Sequence, residues 1–307
     1  MQTALVLHTD RVDLGAEFVS AAGVAASARA AEAAGFGAVA VTDHPFPEDA
    51  WMRSGGHHAL DPFVALSFAA AATSRVRLLT YILVLPYRNP FLTAKAVASL
   101  DVLSGGRVIL GTAVGYLEAE FRALGVDFAE RNALADEAVR AMQAAWTQSG
   151  VRFEGRHFVA HGHTALPRPV QEPHPPIWVG GNSVTAMRRA VTLGDGWMPI
   201  YNPTPELARR RRTAVIASVD DLAARVSRAR ALAAEVGRTR PFEVSFTVRG
   251  LRTYGTAEFD RPGFLAHVAA LRAAGVTWLT VNLPATTRDE HVARIARFGE
   301  EILPHLA

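Results

Sequence analysis

Eight short β-prone stretches alternate with helical ones along this chain, and that rhythm constrains the fold more than any single motif. The first four are Thr3–His8, Ala38–Thr42, Val76–Leu85 and Arg107–Thr112; the last four are Ile177–Val179, Gly196–Ile200, Glu243–Val248 and Val276–Leu283. The stretches between them carry helix signals with physical causes. Asp61-Pro62 and Asn89-Pro90 each pair a capping side chain with a proline at the first helical position, where no N–H is needed. Thr204-Pro205-Glu206 opens a helical region predicted to run to Val236, and Thr287 to Glu290 reads as a capping box. A first helix is predicted from Ala16 to Ala34. Gly35, Gly237 and Gly275 end helices because glycine accepts the left-handed conformation there. Ala33-Ala34-Gly35-Phe36 and Ala273-Ala274-Gly275-Val276 repeat one helix–Gly–strand unit. Eight such units within 307 residues predict a single α/β domain, a (β/α)8 TIM barrel. An open doubly wound sheet is the alternative. It would place Gly-x-Gly-x-x-Gly after the first strand, and none is there.

The rhythm breaks once. After a helix predicted over Arg131–Gln148, the stretch 150–176 is rich in Pro, His and Gly. It reads as an insertion between strand 4 and strand 5, a short hairpin followed by an extended arm.

Several chemistries are excluded by composition. The chain has no cysteine, so disulfides, iron–sulfur clusters and thiolate nucleophiles are out. Lys95 is the sole lysine and falls inside a predicted helix, which disfavours a Schiff-base aldolase. The net charge of +3 is weak support for a nucleic-acid partner. No apolar run reaches the roughly 18 residues of a membrane span, and no basic segment precedes the first strand. A cytoplasmic protein acting on a small molecule is expected, with no membrane partner.

Barrel active sites lie at the C-terminal ends of the strands. The residues predicted there include His8, Asp43, His44, Tyr81, Trp197 and Asn282, together with the stretches 111–118 and 180–183. Pro175 to Ser183 reads as a buried strand broken at Gly180-Gly181, after which Asn182 or Ser183 caps a helix. A helix start presents unpaired N–H groups and a positive dipole end, so this turn suits a phosphate. An ordinary strand-to-helix turn reads the same way. His44 is the best acid/base candidate, because imidazole titrates near working pH; a loop-fixing histidine is its alternative. His57-His58 and His161-x-His163 sit in predicted loops without carboxylates at ligand spacing, so no metal site is expected. Arg209 to Arg212 reads as a solvated helix face, or as an attractor for an anionic tail of a cofactor or substrate.

A set of pieces then carries a family resemblance. They are Thr42-Asp43-His44, Leu85 to Pro90, Leu100 to Arg107, Leu110 to Gly115, Pro175 to Ser183 and Gly194 to Trp197. In this order they resemble the bacterial luciferase-like monooxygenase superfamily, and within it the coenzyme F420 (deazaflavin) oxidoreductase branch. The resemblance covers about residues 3 to 200. It implies F420, or alternatively FMN with a separate flavin reductase, over the strand ends. It places the cofactor phosphate near Gly180, Gly181, Asn182 and Ser183, with Asp43, Gly115 and Trp197 also around the cofactor. It implies a non-proline cis peptide at Tyr81-Ile82 behind the ring, His44 as the catalytic proton carrier, and a homodimer. Tyr116 stands where some deazaflavin dehydrogenases carry a catalytic acid, with Glu118 two residues on, so a sugar-phosphate dehydrogenase is not expected. A non-catalytic flavin-binding barrel is a further alternative.

Overall fold

A computed structural model describes residues 1–306. The protein is the predicted (β/α)8 barrel. Its strands are β1 (Gln2–Val6), β2 (Ala38–Val41), the split pair β3 (Arg77–Thr80) and β4 (Leu83–Val84), and β5 (Val108–Ala113). After the inserted hairpin β6 (Val151–Glu154) and β7 (Val159–His163), the barrel resumes with β8 (Ile177–Gly180), β9 (Gly196–Met198), β10 (Glu243–Thr247) and β11 (Trp278–Val281). All barrel pairings are parallel, and β3 pairing with β5 and β1 with β11 closes the ring.

The principal outer helices are α1 (Ala21–Ala34), α3 (Pro62–Ala72), α4 (Pro90–Ser104), α6 (Arg131–Thr147), α7 (Val184–Leu193), α9 (Val219–Glu235), α10 (Arg261–Ala273) and α11 (Arg288–Glu301). Short helices α2 (Asp49–Arg53), α5 (Glu118–Ala123) and α8 (Pro205–Arg210) lie in the loops at the strand ends. Strand alternation sorts the side chains into two cores. Leu5, Val39 and Val41 face the helices, while Ala4, Val6, Ala38 and Ala40 face inward. Those small inward residues leave room for Trp178 and Trp278, which cross at 5.2 Å in an edge-on pair.

Two helix predictions change. The helix predicted from Ala16 starts at Ala21, capped by the Ser20 hydroxyl on Gly23 N–H, because the preceding chain folds back over Gly23. A Cβ added there would lie 2.6 Å from the Glu17 carbonyl oxygen. The helical region predicted from Thr204 to Val236 is two helices. Between α8 and α9 the chain crosses the barrel mouth, with Arg212 at φ 47° and an isolated bridge between Asn202 and Ile216. A capping box of Ser218 and Asp221 restarts the helix.

The Leu100–Arg107 stretch is structural. The buried Asp101 carboxylate accepts from Val170 N–H at 2.8 Å and Gln171 N–H at 3.0 Å, fastening the inserted arm to the barrel. Arg107 donates to carbonyls of Ala70, Thr73, Val76 and Ser104, so it closes the ends of α3 and α4. The outer faces of these two helices are apolar: Val64 and Phe68 on α3, and Leu92, Val102 and Leu103 on α4, are exposed.

Candidate active site

A cavity of about 500 Å³ opens at the C-terminal ends of the strands, where a barrel places its chemistry. One end carries titratable groups. His44 follows β2 and lines the cavity; its Nδ1 lies 3.4 Å from a carboxylate oxygen of Glu120. Glu120 belongs to α5, is 1% exposed, and also accepts from Phe46 N–H and the Tyr87 hydroxyl, each at 2.9 Å. Burial alone would raise the Glu120 pKa. The bonds from His44, Phe46 and Tyr87 outweigh it and hold the carboxyl below its ordinary value. Burial, then the Glu120 charge, push the Tyr87 hydroxyl far above its usual range, so it stays a donor. With Nδ1 committed to Glu120, His44 has Nε2 for a ligand. Trp51 tilts against the His44 ring at 4.6 Å, and His57 meets it edge-on at 4.9 Å.

Asp43 points away from His44. Its carboxylate receives both Arg88 donors at 2.7 and 2.9 Å, and Val84 N–H at 2.9 Å. It thereby pins β4 and its loop behind the cavity. Between β3 and β4 the Tyr81–Ile82 peptide is cis, at the position the resemblance implies. The Tyr81 hydroxyl bonds Thr247, and Ile82 faces the cavity. Gly180 packs close to Ile82: a Cβ there would meet Ile82 Cδ1 at 2.6 Å and the Ile82 side chain would have to shift.

The other end suits an anion. Ser183 caps α7 by accepting from Ala186 N–H at 3.1 Å, and its hydroxyl proton remains to donate. The first N–H groups of α7 have no acceptor within the helix. Gly181 at φ 112° makes the turn into it. Arg189 on α7 also lines the cavity and is fixed by Asp136 at 2.5 Å.

A sequence model of the luciferase-like monooxygenases matches residues 1–253. The chain belongs to this family. Among its luciferase-like relatives, an uncharacterized protein of Mycobacterium tuberculosis is 33% identical over 243 residues, 73% of this chain and 78% of that one. The F420-dependent glucose-6-phosphate dehydrogenase of Kineococcus radiotolerans is 38% identical over 172 residues, 55% of this chain and 49% of its own. The FMNH2-dependent dimethylsulfone monooxygenase of Pseudomonas putida is 32% identical over 160 residues, 51% of this chain and 42% of its own. An F420-dependent secondary alcohol dehydrogenase, solved with an F420–acetone adduct, superposes with TM-score 0.74 at 18% identity over 100% of this chain and 99% of its own. It shares the luciferase-like fold. The chain is thus an oxidoreductase of a family with both F420- and FMN-dependent members.

Within this luciferase-like barrel, the cavity gathers His44, Asp43, Tyr81, Ile82, Gly115 and the turn at Gly180, Gly181 and Ser183. Two of the expected residues lie elsewhere. Asn182 is fully buried; its amide donates to the carbonyls of Ile200 and Ala214 and accepts from Ile200 N–H. Its own N–H goes to Thr213, and Gly181 N–H goes to Met198. The donors left for an anion therefore start at Ser183. Trp197 is also buried, on the helix side of the barrel, donating to the Gly181 carbonyl at 2.8 Å. In register it pairs with Val179, so Met198 is the inward residue of β9.

Other cavity residues were not read as such. The sequence reads His57 as an exposed loop histidine and the run 209–212 as a solvated face or an attractor for an anionic tail; His57, Arg211 and Arg212 all line the cavity. Glu118 lies outside the His44 network and pairs with Arg212 at 2.8 Å. His8 follows β1 and is buried against Phe18 and α11 rather than lining the cavity. It contacts Asn282 at 3.2 Å and stacks on His291 at 4.1 Å.

Proposed function

We propose that this protein is an F420-dependent oxidoreductase that moves a hydride between the deazaflavin and a small organic substrate. The observation carrying this reading is His44, held at Nδ1 by Glu120, with Nε2 left for a ligand at the cavity end opposite the α7 turn. When bound, F420 supplies the hydride donor or acceptor. A hydride added to a carbonyl carbon brings a proton to its oxygen, a hydride taken from a carbinol carbon removes one from its hydroxyl, and His44 is the group placed to carry that proton. Glu120 fixes the ring through Nδ1. Tyr87 and Phe46 N–H keep Glu120 ionised for that task.

The α7 turn fits the cofactor's phosphate. Ser183 and the first N–H groups of α7 would hold it, and Gly181 gives the backbone its approach. Ile82 and Gly115 would wall the ring end. The 38% identity to an F420-dependent enzyme supports the deazaflavin. FMN with a separate reductase is the second reading, supported by the FMNH2-dependent relative. A homodimer through the apolar faces of α3 and α4 completes the proposal.

Fluorescence titration of the purified protein with F420 and with FMN tests it. Submicromolar binding of F420 alone is the expected result. Binding of FMN alone selects the second reading, and binding of neither sinks both.

A further inference from the structure

The geometry points to a second anion-binding subsite in the same cavity, formed by Arg211 and Arg249 on Tyr201, that receives a carboxylate or phosphate of the substrate. The inference rests on the oxidoreductase reading of the cavity.

Four arginines line this space, and they differ in how their charge is met. Arg189 is paired with Asp136 and Arg212 with Glu118. Arg211 and Arg249 have no carboxylate partner among the described residues. Both are instead organised by one neutral residue. Arg211 Nη1 donates to the Tyr201 carbonyl at 3.2 Å, and the Arg249 guanidinium lies 3.7 Å from the centre of the Tyr201 ring. A planar cation stacked on an aromatic face keeps its donor edges free and its position fixed. Arg249 is stacked in this way and Arg211 is held by a single carbonyl, and together they set at one cavity wall two guanidinium groups without a carboxylate partner among the described residues. That arrangement recognises an anion with several acceptor oxygens.

The Arg211 segment runs beside the phosphate turn, since Thr213 accepts from Asn182 N–H at 2.7 Å, but the proposed cradle for the cofactor's phosphate is complete without the two arginines. That cradle lies at Ser183 and α7. Arg211 follows α8 and Arg249 follows β10, whereas Ser183 follows β8. The substrate would therefore carry its reacting carbon toward His44 and its anionic group toward Tyr201.

Isothermal titration of inorganic phosphate into the F420-saturated protein tests the subsite, with Arg211→Gln and Arg249→Gln as variants and thermal melting to verify that each folds. Millimolar phosphate binding should persist in the loaded wild type and weaken about tenfold or more in either variant, the loss expected for a charge-assisted bond. The F420 affinity of both variants should stay unchanged. Phosphate binding equal in variants and wild type overturns the subsite. A loss of F420 affinity instead assigns these arginines to the cofactor and also overturns it. If wild type takes up no F420, the functional reading fails by itself. The subsite is then read on the cofactor-free protein, where wild type should bind two phosphates and Arg249→Gln one; equal numbers overturn it.

Discussion

Glu120 and His44 come from segments 76 residues apart, and the Glu120 carboxylate lies 3.4 Å from His44 Nδ1 with almost no exposure to solvent. The pair makes His44 directional, with one ring nitrogen tied and the other left for chemistry.

Glu120→Gln keeps the shape of this contact and removes the charge. The single-turnover hydride-transfer rate should fall at least about tenfold, in the range of general acid–base contributions. The dissociation constant of the cofactor that the protein binds should not change, because Glu120 does not reach the anion end. An unaltered rate would show that Glu120 only supports the loop.

Ser183→Asp separates capping from anion binding. Aspartate caps helices as well as serine, so the melting temperature should be preserved. The added negative charge at the start of α7 should weaken binding of a phosphate-bearing cofactor about a hundredfold. Retained affinity, measured by fluorescence quenching, would place the phosphate elsewhere.

Much of this was legible in the sequence. The cap-then-proline signals at Asp61 and Asn89 and the glycine stops at Gly35 and Gly105 are local, so the elements they bound could be read locally. Glu120 could not. Its neighbour Glu118 offers the same chemistry on the same short helix, and only the docking of α5 buries one and exposes the other. Trp197 was misplaced because a strand of three residues has too few alternations to fix its phase. For the arginines after α8 the sequence leaves a solvated face and an anion attractor both open, and only the crossing of the barrel mouth brings Arg211 and Arg212 to the cavity.

The buried His8–His291 stack should make the fold acid-sensitive. Burial first, then the nearby His8 and Arg294, depress His291 to about 3, against an ordinary value near 6.5. The unfolded chain binds this proton at higher pH than the folded one. Stability is thus complete above about pH 6.5 and is lost as pH falls toward 3. Between pH 6.5 and 5 the loss should be about 2 kcal/mol. Urea midpoints at the two pH values measure it, and His291→Leu should flatten the difference. An equally steep dependence in that variant would assign the effect to other groups.

The apolar faces of α3 and α4 should associate. Phe68→Asp with Leu103→Asp places charge on both and should convert a dimer to a folded monomer, read by light scattering and circular dichroism. An unchanged molar mass would show that these faces do not join.

The two ends of the cavity come from different halves of the chain. His44, Tyr87 and Glu120 precede the exposed run Thr147 to Gly150, and Ser183, Arg211 and Arg249 follow it. Neither half holds a complete site, and the halves meet across the β5–β8 and β1–β11 ladders. A chain severed at that run would be catalytically silent as separate fragments and regain turnover only on reassembly. The enzyme would then serve as a complementation reporter, its signal a measure of two polypeptides finding one another.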